Sequence, residues 1–267
     1  MYTTKNQKAA SRPEVQKAQL RDARNGFLKT FLFIAAVFAI FAGIYKLAEK
    51  VLSSDDFLVK SIRVEGNHSV SKAEIIKAGG LYANMNIYTL KTDKIKQGIL
   101  GHPDIEKAEI EREMPTNLII RVKEREPMAL LKTSDGKILP VDRRGRILSE
   151  NKLENAKGMP LILTEEETGS LGQECKDKKV LTALDYLLVI RHAPERNFLK
   201  IKTVDVRPKD ALVFKTVSID EIIFSEQYSS DEVAKIFEII KNLRENGRGA
   251  SKIDARYEDV AVVCKYL

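Results

Sequence analysis

Between Thr30 and Tyr45 the chain reads TFLFIAAVFAIFAGIY, sixteen residues without a charge and apolar on every side from Phe31 to Ile44. A helix packed into a soluble core would keep a polar face, so this stretch predicts a helix facing lipid all round. Crossing about 30 Å of hydrocarbon takes about twenty residues. The flanks supply them, since Lys29 and Lys46 bracket the run and can extend their ammonium groups to the two membrane surfaces. Tyr45 suits the same interfacial level. A cleaved leader would need a shorter polar start and small residues at the exit, and Lys46-Leu47-Ala48-Glu49-Lys50 is a poor cleavage site. The expected organisation is a tail over 1–26 and a membrane helix over 27–48, with everything beyond in another compartment.

Past the helix the period shifts to two. Ile62 and Val64 alternate with Arg63 and Glu65 up to a turn at Gly66-Asn67, which predicts a half-buried strand. Ser71-Lys72-Ala73-Glu74 then reads as a capping box opening a helix that stops at Gly79-Gly80. Ile95 and Ile99, four apart, mark a second helix ending before Pro103. Two alternating strands follow, with Ala108 and Ile110 on one and Leu118, Ile120 and Val122 on the other. The turn Met114-Pro115-Thr116-Asn117 joins them as a hairpin. The order is β-α-α-β-β, helices over one face of a three-stranded sheet.

From Pro127 onward the pattern is mixed. Lys137 to Leu148 holds two short apolar runs around a turn at Asp142 to Gly145. Val180, Leu181, Leu184, Leu187 and Leu188 form a helical stripe within 176–191. Strands are expected at 201–206, 211–217 and 219–224. A helix follows, with Ser229 to Glu232 as its capping box and Val233, Ile236, Phe237, Ile240 and Leu243 as its apolar face. Lys252 to Cys264 closes the described pattern with strand-forming residues, while 149–175 has no clear period. The fold class is α+β: an N-terminal membrane helix, a β-α-α-β-β domain over 57–127, and a mixed α/β domain with an antiparallel-rich sheet over 128–267.

Charge decides orientation more than partner. The chain carries +7 overall, but Lys5, Lys8, Arg12, Lys17, Arg21, Arg24 and Lys29 against Glu14 and Asp22 concentrate +5 of it in the first 29 residues. By the positive-inside rule this places the N-terminus in the cytoplasm. No basic groove interleaved with aromatics follows, so nucleic acid is not an expected partner. His68, His102 and His192 are dispersed, with no HExxH, phosphate loop or nucleophile elbow. Glu165-Glu166-Glu167 reads as a solvated loop. Cys175 and Cys264 have no metal-ligand spacing, and their pairing is left open. No enzyme activity, cofactor or metal is expected.

The second region resembles a POTRA domain. The residues that carry the likeness are Leu100-Gly101-His102-Pro103-Asp104-Ile105-Glu106-Lys107-Ala108, then Arg112-Glu113-Met114-Pro115 with Leu118 to Val122, then Glu124-Arg125-Glu126-Pro127-Met128-Ala129. These last segments, the preceding membrane helix, the Lys137 to Leu148 phrase (similar to a strand–turn–strand of that family) and the Asp254-Ala255-Arg256-Tyr257 phrase before an apolar strand are similar to the bacterial division family FtsQ (DivIB). The resemblance implies a non-catalytic, single-pass scaffold of the inner membrane enriched at the division site. It implies FtsB- and FtsL-like partners, with other division proteins at the POTRA-like domain. It further implies docking by strand addition at the C-terminal edge, involving Arg256, Tyr257, Glu258, Val260 and Val262, with Arg256 pairing a partner carboxylate. Asp259, Val260 and Lys265 depart from the small pair and later aromatic of some members. Two alternatives carry the same domain: an export or outer-membrane assembly factor, and a membrane-anchored scaffold unrelated to division. The 139 residues after 128, holding two amphipathic helices, do not suit a transmembrane barrel.

Overall fold

The computed structural model describes residues 12–52, 55–133, 135–166, 169–194, 196–257 and 259–266. They form two units, one up to Leu58 and one from Val59 onward. The first is a single helix, α1 (Arg12–Leu52), so the tail expected over 1–26 is helical from Arg12 and its first eleven residues lie outside the described chain. Within α1 the stretch Leu28–Lys50 is long and apolar enough to cross a membrane. Phe33, Phe38 and Phe41 all project from it, 67–75% exposed.

The second unit opens with β1 (Ser61–Glu65), α2 (Lys72–Ala78), α3 (Thr92–Leu100), β2 (Ile105–Glu113) and β3 (Asn117–Glu124). The strands form one sheet ordered β1-β3-β2. β3 is central, parallel to β1 and antiparallel to β2, which is why Leu118, Ile119, Ile120 and Val122 are all buried. The capping box is present as expected. Ser71 Oγ accepts from the Glu74 N–H at 3.2 Å, and Glu74 Oε2 accepts from the Ser71 N–H at 2.8 Å. The α2 and α3 backbones approach so closely that a Cβ on Gly98 would come within 2.4 Å of the Ala78 carbonyl oxygen. Glycine is therefore the residue that lets Ile75, Ile95 and Ile99 meet in the core.

The remainder holds β4 (Ala129–Lys132), β5 (Ile138–Val141), β6 (Leu161–Leu163), α4 (Lys178–His192), β7 (Ile201–Asp205), β8 (Leu212–Thr216), β9 (Glu221–Phe224), α5 (Ser230–Glu245), β10 (Arg248–Asp254) and β11 (Ala261–Tyr266). They build an eight-stranded mixed sheet ordered β11-β10-β9-β8-β7-β6-β4-β5. Alternation sends Leu212, Phe214, Ile222, Phe224 and Ile253 into the core with Val180, Leu184 and Leu187 of α4 and Ile236 and Ile240 of α5. The Tyr186, Phe214 and Phe224 rings sit 4.4–6.1 Å apart in tilted and edge-on pairs.

Three local expectations change. The run after the Asp142 to Gly145 turn does not become a strand. Ile147 makes a lone bridge to Val141, and β5 pairs instead with β4. The aperiodic stretch 149–175 contains β6, three residues that join β4 to β7 with parallel pairing on both sides. Ser229 caps the start of α5 only with its backbone. The Glu232 carboxylate is drawn instead to the Ser225 N–H at 3.2 Å, the Ser225 hydroxyl at 2.7 Å and the Tyr186 hydroxyl at 2.8 Å. Burial, together with hydrogen bonding and charge from Glu232, pushes the Tyr186 phenol up to about 12.

The two folded parts of this unit are clasped by three carboxylates. Glu124, at the end of β3, accepts from the N–H groups of His68, Ser69 and Val70 at 2.6, 2.9 and 2.9 Å and pairs with buried Lys152. Asp104 accepts from the Ser149 N–H at 2.8 Å and from its hydroxyl. In the opposite sense, Asp142 accepts from Arg125 at 2.7 Å.

Candidate functional site

The C-terminal edge is assembled by a short return of the chain. α5 ends, Gly247 turns with φ +65°, and β10 runs back through the sheet parallel to β9. Ala255 is buried, its N–H bonded to the Ile223 carbonyl at 2.9 Å, so the turn that follows starts from a fixed point. β11 then pairs antiparallel with β10, from Asp254↔Ala261 to Arg248↔Tyr266. Among the described residues no strand lies on the other side of β11, so it ends the sheet. An end strand offers a row of backbone donors and acceptors to any incoming chain.

Side chains around this edge divide cleanly. Tyr257 is 63% exposed, and the Arg256 guanidinium lies 5.2 Å from its ring centroid. Arg256 turns its fork inward, with Nε to Asp254 Oδ1 at 2.9 Å and Nη2 to Oδ2 at 2.7 Å. The bidentate contact holds the Asp254 carboxyl below the usual carboxylate range and raises Arg256. A polar cleft of about 500 Å³ beside it is lined by Arg256 with Asp210, Glu226 and Glu232. Glu226 in this cleft is itself paired with Lys179, and the Arg256 fork is occupied by Asp254.

Val260 and Val262 are half-buried and pack on the core, whereas Val263 is 55% exposed. Glu258 lies outside the described residues. Sequence reasoning passed over Val263. The in-out alternation of a half-buried strand carries the signal, because burying Val262 turns its neighbour outward. At the other end of the chain, Lys29, Tyr45 and Lys46 are all exposed on α1, at or within the apolar stretch. Cys175 is buried and Cys264 exposed, and both are free thiols.

The described residues thus comprise an apolar helix long enough to cross a membrane, a β-α-α-β-β domain clasped to a mixed-sheet domain, and an open terminal strand. Residues 57–125 match the POTRA domain, FtsQ-type. The chain is 33% identical to the cell division protein DivIB of Clostridium tetani, over 40% of this chain and 39% of that one. It is 30% identical to DivIB of Clostridium acetobutylicum, over 56% and 60%, and 28% identical to the cell division protein FtsQ of Syntrophotalea carbinolica, over 55% and 52%. Residues 57–125 thus carry an FtsQ-type POTRA domain, and the chain is similar to the FtsQ and DivIB cell division proteins. The matches span about 39–60% of the length of these relatives.

Proposed function

We propose that this chain is a single-pass scaffold of the bacterial division machinery, held in the inner membrane by α1 with its N-terminus in the cytoplasm. Its folded unit lies on the outer side and captures another membrane-anchored division protein, FtsB- or FtsL-like, by strand addition at β11. The observation that carries this reading is the open edge of β11 beside exposed Tyr257 and Val263. Main-chain pairing would supply affinity, and the two side chains would supply specificity. The kinship with proteins named for cell division supports the setting.

Tyr257→Ala combined with Val263→Asp tests it without touching the buried core. The double variant is expected to weaken partner capture about 30-fold or more, the effect of losing one strong interface contact. Its unfolding midpoint should stay at the wild-type value. Unchanged affinity in a titration with the purified partner would remove β11 as the docking edge. A fluorescent fusion spread evenly around the envelope, with no midcell enrichment, would remove the division role.

A further inference from the structure

The POTRA sheet has two ends, and its register identifies them. Ser61 pairs with Asn117, and Asn117 with Glu113, so the chain enters the sheet at the end holding 61, 117 and 113. β1 and β3 both run away from that end, and β3 delivers the chain to Glu124 and the clasp with the second domain. The entry end is therefore opposite the clasp. Two segments are tied to it. The Val59 N–H donates to the Met85 carbonyl at 2.9 Å, and the Lys60 N–H donates to the Thr116 carbonyl at 2.9 Å. The loop between α2 and α3 and the β2–β3 hairpin tip thus sit side by side.

These two segments carry Tyr82, Tyr88 and Met114, which are 71%, 44% and 43% exposed. They are the exposed large hydrophobic residues of the POTRA domain, and all three fall at its entry end. Eight residues separate Lys50, the last of the apolar stretch, from Val59. Fully extended, that linker reaches about 30 Å, and a 3-10 turn at Asp55–Phe57 shortens it. If α1 spans a bilayer, the entry end is never far from a lipid surface.

We propose that this end of the POTRA domain is a lipid-contacting foot, with Tyr82, Tyr88 and Met114 inserted at the headgroup–acyl boundary. The inference rests on the reading of α1 as a membrane anchor. Tyrosine suits that depth because its ring is apolar and its hydroxyl remains hydrated. Methionine is flexible enough to fill irregular space between lipids. The tether keeps lipid at high effective concentration, so even a weak contact is populated. Charge does not drive it. Asp93 stands between Lys91 and Lys94, and Glu113 follows Arg112, unlike the polybasic clusters that seek anionic lipid.

The chain contains no tryptophan, so one introduced indole reports one position. Three full-length variants, Tyr82→Trp, Phe38→Trp and Tyr257→Trp, are reconstituted in phosphatidylcholine vesicles containing brominated phosphatidylcholine. Phe38→Trp is expected to be quenched by bromine deep in the acyl chains, and Tyr82→Trp by bromine near the headgroup. Tyr257→Trp should be unaffected. The Tyr82→Trp emission should be blue-shifted relative to Tyr257→Trp and should not change in high salt. A Met114→Trp variant repeats the measurement on the hairpin tip. Quenching at Phe38→Trp with none at Tyr82→Trp or Met114→Trp overturns the foot and leaves the anchor standing. No quenching at Phe38→Trp overturns the anchor, and the foot with it. Quenching at Tyr82→Trp that disappears when a partner protein binds would mean that the patch belongs to the protein, and would also overturn the proposal.

Discussion

Lys152→Ala is expected to lower the unfolding free energy by about 3–5 kcal/mol, the cost of stripping one partner from a buried ion pair. The Lys152 and Glu124 side chains are 3% and 7% exposed, and they join the POTRA domain to the domain beyond it. Burial alone would raise the Glu124 carboxyl. The contact with Lys152 and the N–H groups of Val70, His68 and Ser69 outweigh it and lower the pKa from 4.5 to about 2. Without Lys152 that negative charge keeps the backbone donors of the 68–70 loop but loses its buried cation. Urea unfolding of the detergent-solubilised chain measures the loss. Pairing Lys152→Met with Glu124→Gln should restore much of it, because the uncompensated charge disappears. The sign of the pH dependence follows from the lowered value. The charged form is favoured in the folded state, so the full contribution is present above pH 4.5 and is lost as pH falls toward 2. It amounts to about 3 kcal/mol. An acid-unfolding curve that is identical for wild type and the Lys152→Met, Glu124→Gln pair would contradict this assignment.

Gly66→Ala should cost a similar amount, about 2–5 kcal/mol. The residue holds φ at +82°, a conformation that costs an L-residue about 1–2 kcal/mol. In addition, an added Cβ would lie 2.2 Å from the Val122 carbonyl oxygen, a backbone atom of the central strand. Relieving such a clash means moving β1 or β3, and overpacking of this kind costs about 1–3 kcal/mol more. Gly136→Ala is the control. Its φ is +83°, with nothing within 4 Å of the new Cβ, so it should show the conformational cost alone. The shift at Gly66 would pass into the 67–70 turn, where Asn67 Nδ2 donates to the Val70 carbonyl at 3.0 Å and the neighbouring N–H groups cradle Glu124. Gly66→Ala and Lys152→Ala should therefore be less than additive. Strict additivity in the double variant would mean that the turn and the clasp are independent.

The contrast between these two positions says how much the chain discloses before it is folded. Gly66 was readable as a turn because it ends an alternating strand, and such cues are local. The same is true of the Ser71–Glu74 box, the Gly79-Gly80 stop, the apolar stretch of α1 and the β-α-α-β-β order. Each depends on residues within one or two turns of one another, so spacing alone registers it. Lys152 gave no such sign. It sits in an aperiodic stretch, 28 residues from Glu124, and no pattern announces a pair formed across that distance. β6 was missed for the same reason, since three residues are too few for a period and its identity depends on β4 and β7 on either side.

At the far edge, Asp254-Ala255-Arg256-Tyr257 stood out as a phrase, and its family resemblance pointed to docking. Folding decided what each residue is free to do. Asp254 occupies the Arg256 fork, Val260 and Val262 pack on the core, and Tyr257 and Val263 face outward. Likewise Ser229 and Glu232 have the spacing of a cap, yet Tyr186, 46 residues from Glu232, takes the carboxylate into a buried network. Local order is written in neighbouring residues, because backbone geometry and side-chain period act within a turn or a strand. Which edge stays open, and which charges are already paired, depends on contacts between distant segments, and those exist only once the sheet has closed.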